Sequence, residues 1–315
     1  MTIKRFSRAV IKAISKTEFD IKKTYQIERS IKNFKVPLLM HIYKRWNYKV
    51  YTGNREILTR VFNPKSGEPE NTIIFFHGGG WVTETIDSYN NVCKHLSKHT
   101  NCIVISVEYR LAPEHPFPQG LEDCYAVAKL AHDKQKEENL LPGKIILMGD
   151  SAGGNLAAAV SLRARDRGEF KVDTQILLYP ATYWDHSMIS PFDSIRENGT
   201  GYILTAKRVC DYMTLYKRND KDLMNPYFAP LMAGDFSNQP KTLLITAEFD
   251  PLRDEGEEYG KRLSEAGNEV KMYRMKDALH GFISLGQYNV FVRKTYGLIN
   301  TFLNERDESC TKDKH

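Results

Sequence analysis

Residues 144–163 constrain the fold of this chain more than any other stretch. An apolar run from Lys144 to Met148 suits a buried strand, and Asn155-Leu-Ala-Ala-Ala-Val-Ser-Leu-Arg163 suits a helix packed on a sheet. Between them the chain must turn sharply through Gly149-Asp-Ser-Ala-Gly153. Glycines at both outer positions make this a G-x-S-x-G elbow, in which small neighbours let Ser151 occupy a strained turn with its hydroxyl exposed at a helix N-terminus. The partial positive charge of that helix end favours a developing oxyanion. The same residues would also suit a serine N-cap in a glycine turn, or a phosphate loop. A phosphate loop calls for Gly-Lys-Ser/Thr, which is not present here.

The rest of the chain alternates in period. Short strands are expected at Tyr48–Tyr51 and Ile57–Phe62, with Asn63-Pro-Lys-Ser-Gly67 as a turn before a further strand at Ile73–Phe76. A helix over Tyr89–Lys98 leads to Cys102-Ile-Val-Ile-Ser-Val-Glu108, whose nearly continuous apolar run suits a strand covered on both faces. After a helix at Leu121–Lys136 and the elbow come strands at Gln175–Leu178, Thr242–Thr246 and Val270–Tyr273, then a helix from about Asn289 to Leu303. This alternation predicts an α/β architecture: an open, mostly parallel sheet with helices on both faces and a site beyond the strand carboxyl ends. Some sixty residues rich in aromatics separate Tyr179 from Thr242. That is too long for a plain connection and predicts an insertion folded over the strand ends.

A serine hydroxyl needs a base to take its proton and a fixed acid to orient that base. His280, in Asp277-Ala-Leu-His-Gly-Phe282, follows a predicted strand and is backed by Gly281. Asp250 follows the Thr242–Thr246 strand, and Asp254, one helical turn on, is the competing acid. Asp250 is nearer the strand end, whereas Arg253-Asp-Glu255 looks like a helix start with acidic first-turn residues. Of the other histidines, His95, His99 and His132 fall on predicted helices and His315 in the tail. The order Ser151, Asp250, His280 is that of the α/β-hydrolases. His77-Gly-Gly-Gly80 supplies main chain that can approach a substrate closely, and the expected oxyanion donors are the amides of Gly78, Gly79 and Ala152.

HGGGW at 77–81, VEYRLAPEHPFP at 107–118, GDSAGG at 149–154, DPLRDEG at 250–256 and HGF at 280–282 together resemble the hormone-sensitive-lipase-like esterases, in particular their bacterial GDSAG branch, over residues 70–305. The resemblance implies an α/β-hydrolase fold with a helical cap made from the N-terminal arm and the segment after the sixth strand. It also implies hydrolysis of short- to medium-chain carboxylic esters through an acyl-enzyme, with no metal and no cofactor. Ser151, Asp250 and His280 would be catalytic, with His77, Gly80, Trp81 and Asp150 in support; His77 would orient the glycine loop and Tyr109–Pro118 would brace the site. The same triad would serve an amidase, a lactonase or a sugar or drug deacetylase. Plant gibberellin receptors, which bind without catalysis, resemble this family but lack the catalytic histidine.

Composition sets the remaining expectations. With 41% hydrophobic and 27% charged residues among 315, the chain suits a globular domain with a sizeable core. The formal charge of +6 is local: residues 1–50 hold 13 Lys and Arg against 3 Asp and Glu. Ile3, Phe6, Val10 and Ile14 recur at helical spacing among Lys4, Arg5, Arg8 and Lys12, a second helical pattern runs through Ile21, Tyr25, Glu28 and Ile31, and a short helix is expected around Leu38–Trp46. The division expected is a basic helical arm at 1–47 forming part of the cap, a core at 48–181 and 236–306, a cap insertion at 182–235 and a polar tail at 307–315. The arm would pack on its own body or touch a membrane surface or a second copy in a homodimer; no nucleic-acid motif and no membrane span accompanies it. Five cysteines without a C-x-x-C pair and no signal-peptide core point to a cytoplasmic location.

Overall fold

A computed structural model describes residues 20–34, 46–53, 55–65, 67–138 and 140–305. Eight strands form one sheet: β1 (Trp46–Thr52), β2 (Arg55–Phe62), β3 (Thr72–Phe76), β4 (Ile103–Val107), β5 (Ile145–Asp150), β6 (Thr174–Leu178), β7 (Lys241–Phe249) and β8 (Val270–Leu279). Their order is β1-β2-β4-β3-β5-β6-β7-β8, antiparallel at β1/β2 and β2/β4 and parallel from β4 to β8. The mostly parallel sheet expected from the alternation is therefore present.

The central strands read as apolar runs because both of their faces are covered. Ile73 and Phe75 of β3 join one core cluster, while Ile74 and Phe76 join the other. On one face lie α2 (Asn90–Thr100) and α8 (Val290–Asn304), whose Cys93, Leu96, Val292 and Ile299 are buried. The other face carries α3 (Gln119–Glu138), α4 (Ala152–Arg167) and α7 (Arg253–Glu265). Helix α4 shows little amphipathic bias, since Ala152 to Ala164 is buried throughout, which explains its run of alanines.

Between β6 and β7 the chain forms α5 (Asp193–Asn198), α6 (Ala206–Tyr216) and two 3-10 turns, Asp220–Met224 and Pro230–Met232. On α6 sits α1 (Ile21–Phe34), the second of the helical patterns expected in the basic arm. Arg29 of α1 reaches across to the core, donating to the carbonyls of Val82 at 2.6 Å and Ala112 at 2.7 Å and pairing with Glu114. Lys22 and Glu28 of α1 face α6, pairing with Asp211 and Arg208. The helix expected at Ile3–Ile14 and the tail at 307–315 lie outside the described residues. Of the short helix expected around Leu38–Trp46 only Trp46 is described, and it opens β1 instead, paired with Val61. Among the described residues no helix is long and apolar enough to cross a membrane.

Candidate active site

The elbow after β5 is as tight as its glycines require. Ser151 sits at φ 55, ψ −120, immediately before α4. A Cβ on Gly149 would lie 2.2 Å from the Gly153 carbonyl oxygen, and one on Gly153 would lie 1.9 Å from that of Phe76. No side chain fits at either position, so the two glycines permit the close approach that turns the strand into the helix.

Three loops at the strand carboxyl ends converge on this serine. His280, directly after β8, places Nε2 2.9 Å from Ser151 Oγ and Nδ1 2.6 Å from Asp250 Oδ2. Asp250, directly after β7, is fully buried, and its other oxygen accepts the Leu252 amide at 2.9 Å. With Asp250 as a carboxylate, Nδ1 of His280 carries the proton, leaving Nε2 to accept from the serine hydroxyl. Asp254, the competing acid, is engaged elsewhere: its carboxylate accepts the Ser194 amide of α5 at 2.7 Å and pairs with Arg253.

The glycine loop departs from expectation at one residue. Gly78 does not offer its amide to the cleft, because that N–H donates to Asp150 Oδ1 at 2.9 Å. Gly79, at φ 105, and Gly80, at φ 62, turn the chain so that these two glycines line the cleft with Ala152. Among the described residues the amides of Gly79, Gly80 and Ala152 have no hydrogen-bond acceptor. The sequence could not distinguish Gly78 from Gly80, since the choice depends on the direction of the turn and on a carboxylate 72 residues away.

Asp150 holds that loop. Only 1% exposed, it accepts from Gly78 and, through Oδ2, from the Tyr89 hydroxyl at 2.9 Å. Burial pushes its carboxyl up to about 6, against the opposing pull of the Tyr89 hydrogen bond, the nearby His280 and the Gly78 amide, with Glu84 adding to the rise. His77 stacks on Tyr109, ring centroids 4.3 Å apart, and its Nδ1 lies 2.8 Å from the Gly78 carbonyl. The Tyr109 hydroxyl donates to the His77 carbonyl at 2.7 Å. Trp81, 2% exposed, stacks parallel on Tyr216 at 4.5 Å and forms part of the cleft wall.

The cleft above Ser151 has a volume of about 390 Å³. Leu204, Val209 and Tyr212 from the insertion make one wall, Leu252 and Leu285 another, and the Glu28–Arg208 ion pair between α1 and α6 closes a polar corner. Residues that the motif reading did not single out tie the insertion to the core. Glu255 Oε1 accepts the amides of Thr182 at 2.7 Å and Tyr183 at 3.2 Å. His186 Nε2 lies 2.7 Å from Glu255 Oε2 with both side chains fully buried, although the two are not aligned as a hydrogen bond. Asn155 donates to the carbonyls of Ala181 and Phe228. The sequence carried no sign of this role, since Glu255 reads there as an acidic first-turn residue and only the structure shows it buried. Among the described residues no three His, Cys, Asp or Glu side chains converge to hold a metal ion.

A family model described as alpha/beta hydrolase fold matches residues 73–284. The chain belongs to this family. The chain is 38% identical over 236 residues to an arylesterase of Saccharolobus solfataricus, covering 75% of this chain and 76% of that one. It is also 38% identical over 238 residues to the carboxylic ester hydrolase LipN of Mycobacterium tuberculosis, covering 74% of this chain and 62% of the relative. Its fold matches a solved hyperthermophilic esterase from Pyrobaculum calidifontis with a TM-score of 0.82 and 33% identity, over 96% of this chain and 97% of the other. The hormone-sensitive-lipase-like resemblance thus holds, and the protein is a carboxylic ester hydrolase.

Proposed function

We propose that the protein is a serine esterase for short- to medium-chain carboxylic esters, with Ser151 as nucleophile, His280 as general base and acid, and Asp250 as the group that orients His280. The observation that carries this reading is the unbroken chain from Ser151 Oγ to His280 Nε2 at 2.9 Å and from His280 Nδ1 to Asp250 Oδ2 at 2.6 Å.

In this reading Ser151 Oγ attacks the ester carbonyl while its proton passes to His280 Nε2, and buried Asp250 stabilises the imidazolium. The tetrahedral oxyanion receives the amides of Gly79, Gly80 and Ala152, the last at the N-terminus of α4. Collapse breaks the C–O bond, and the alcohol leaves with the proton returned by His280. Water then attacks the acyl-enzyme along the same path, releasing the acid and regenerating the Ser151 hydroxyl. Each oxyanion donor of this kind contributes about 3 kcal/mol to transition-state stabilisation.

The chain-length part of the reading rests on the cleft. About 390 Å³ is near the lower end of the roughly 300–1,000 Å³ of small-molecule sites. Helix α1 and residues 182–235 act as the cap, since Glu28, Ile203, Leu204 and Tyr212 border the cleft from those segments. A cytoplasmic location is supported by Cys93, Cys102, Cys124 and Cys210, which are free thiols among the described residues. A homodimer would use the open edge of β8, where Met272 and Tyr273 are 44% and 38% exposed, and sedimentation at two concentrations tests it.

A fluorophosphonate probe tests the function. Covalent labelling that maps to Ser151 by peptide mass, together with faster hydrolysis of acetyl and butyryl esters than of long-chain ones, is expected. Absence of labelling would instead indicate a protein that binds without catalysis.

A further inference from the structure

The end of β6 meets the Ser151 elbow and the His280 loop, and one side chain there also reaches Asp150. Leu178 accepts the Ser151 amide at 2.9 Å, and the Ala181 amide donates to the Ser151 carbonyl at 3.4 Å. Between them stands Tyr179, fully buried and held at φ 35, a conformation that a side-chain-bearing residue adopts only when its surroundings fix it. Its amide donates to the Ile245 carbonyl of β7 at 2.6 Å, which anchors the backbone in that conformation.

From this position the Tyr179 ring meets the base. Its centroid is 4.8 Å from that of His280 with the planes 61° apart, and 4.9 Å from that of Phe282 at 73°, both edge-to-face. Its hydroxyl accepts the Ile283 amide at 3.3 Å and donates to Asp150 Oδ2 at 3.4 Å. Asp150 in turn binds Gly78, the entry to the glycine loop. The two hydroxyl contacts are long, so neither is strong alone. Their value lies in geometry: one rigid aromatic side chain spans the histidine loop and the carboxylate that fixes the glycine loop.

We propose that Tyr179 is a positioning residue that sets the His280 loop in register with the nucleophile elbow and the glycine loop, so that base, nucleophile and oxyanion donors are aligned before substrate arrives. Burial pushes the phenol well above its ordinary range, so the hydroxyl keeps its proton and remains a donor to Asp150 at any working pH. Such alignment acts on the transition state more than on binding, because the reacting groups tolerate misplacement far less than the apolar walls do.

The inference rests on the proposed roles of Ser151 and His280, and the experiment separates the two. Tyr179→Phe keeps the ring and removes the hydroxyl; Tyr179→Leu removes both. On p-nitrophenyl acetate the Phe variant should lose about ten-fold in kcat with KM within about two-fold, and the Leu variant about 100-fold, the scale of a misplacement near 1 Å. Both rates are normalised to the fraction that remains folded by circular dichroism. A Phe variant with wild-type kcat, a KM that rises in step with the fall in kcat, or a loss that only tracks unfolded protein would overturn the proposal. Ser151→Ala is measured alongside. An inactive Ser151→Ala with a wild-type Tyr179→Phe removes only the role of Tyr179, whereas an active Ser151→Ala removes the underlying reading as well.

Discussion

The Gly78 amide donates to Asp150 Oδ1 across 2.9 Å, so the residue next to Ser151 in sequence holds the glycine loop in space. This bond takes Gly78 out of the proposed set of oxyanion donors and gives Asp150 a role distinct from that proposed for its neighbour. Asp150→Asn leaves one carbonyl oxygen where two carboxylate oxygens served Gly78, Tyr89 and Tyr179. Its kcat should fall about 10²-fold, the effect of misplacing one oxyanion donor; kcat within two-fold of wild type would remove Asp150 from the account.

The same carboxyl makes stability depend on pH. The unfolded chain releases this proton near the ordinary value of about 4, whereas the folded chain holds it up to about 6. Below about pH 4 both states are protonated, and as pH rises through about 6 the folded state loses about 3 kcal/mol relative to the unfolded one. The titratable groups near Asp150 include Tyr89, Tyr179, His280, Glu84, Cys93 and Tyr109, and only Asp150 is changed in Asp150→Asn. The Tm of this variant relative to wild type should therefore climb between about pH 4 and pH 7. A difference flat with pH would contradict the raised value.

Gly79→Ala tests the loop itself. The new Cβ would lie 2.3 Å from the Thr83 carbonyl oxygen at a φ of 105 that favours glycine, so the backbone must move. A kcat loss of at least about 10²-fold with the fold retained is expected, read from initial rates and circular dichroism.

Asp250→Asn keeps the shape of the acid and reverses the hydrogen-bond preference at His280 Nδ1. A kcat loss of about 10³- to 10⁴-fold is expected, as for other triads whose histidine is held in the wrong tautomer. Asp254→Asn, which disturbs the contact with Ser194 instead, should retain most of the activity; the reverse ranking would reassign the acid.

Arg29 ties α1 to the core, its guanidinium bridging two core carbonyls and Glu114. Bonds from a charged donor to carbonyls contribute about 1.5–3 kcal/mol each, so Arg29→Ala should shift local opening of α1 by ten-fold or more. Limited trypsin digestion should cut within α1 of the variant at protease levels that spare α1 of wild type. Equal cleavage of the two proteins would show that other contacts hold α1.

The sheet, and the three residues that the structure brings together around Ser151, were legible because their signals are local. Apolar runs such as Ile73–Phe76 and Ile145–Met148 follow from burial on both faces, and Ser151, Asp250 and His280 each end or follow such a run. Features that depend on distant partners were not legible. Gly78 is taken from the cleft by Asp150, His186 is buried against Glu255, and Tyr179 acquires its contacts only when β6 and the loop after β8 are brought together. Within the aromatic insertion α5 spans only six residues, too short to show a period, whereas α6 does carry Val209, Tyr212, Met213 and Tyr216 at helical spacing on its buried face, a signal the motif reading did not use.

The most direct measurement is the turnover of p-nitrophenyl acetate by Ser151→Ala, taken with its thermal melt. The account predicts a folded protein with a Tm close to wild type and kcat reduced by about 10⁵-fold or more, toward the residual level left by the oxyanion hole and binding alone. A folded Ser151→Ala enzyme that still hydrolyses the ester at a rate near wild type would contradict the central claim.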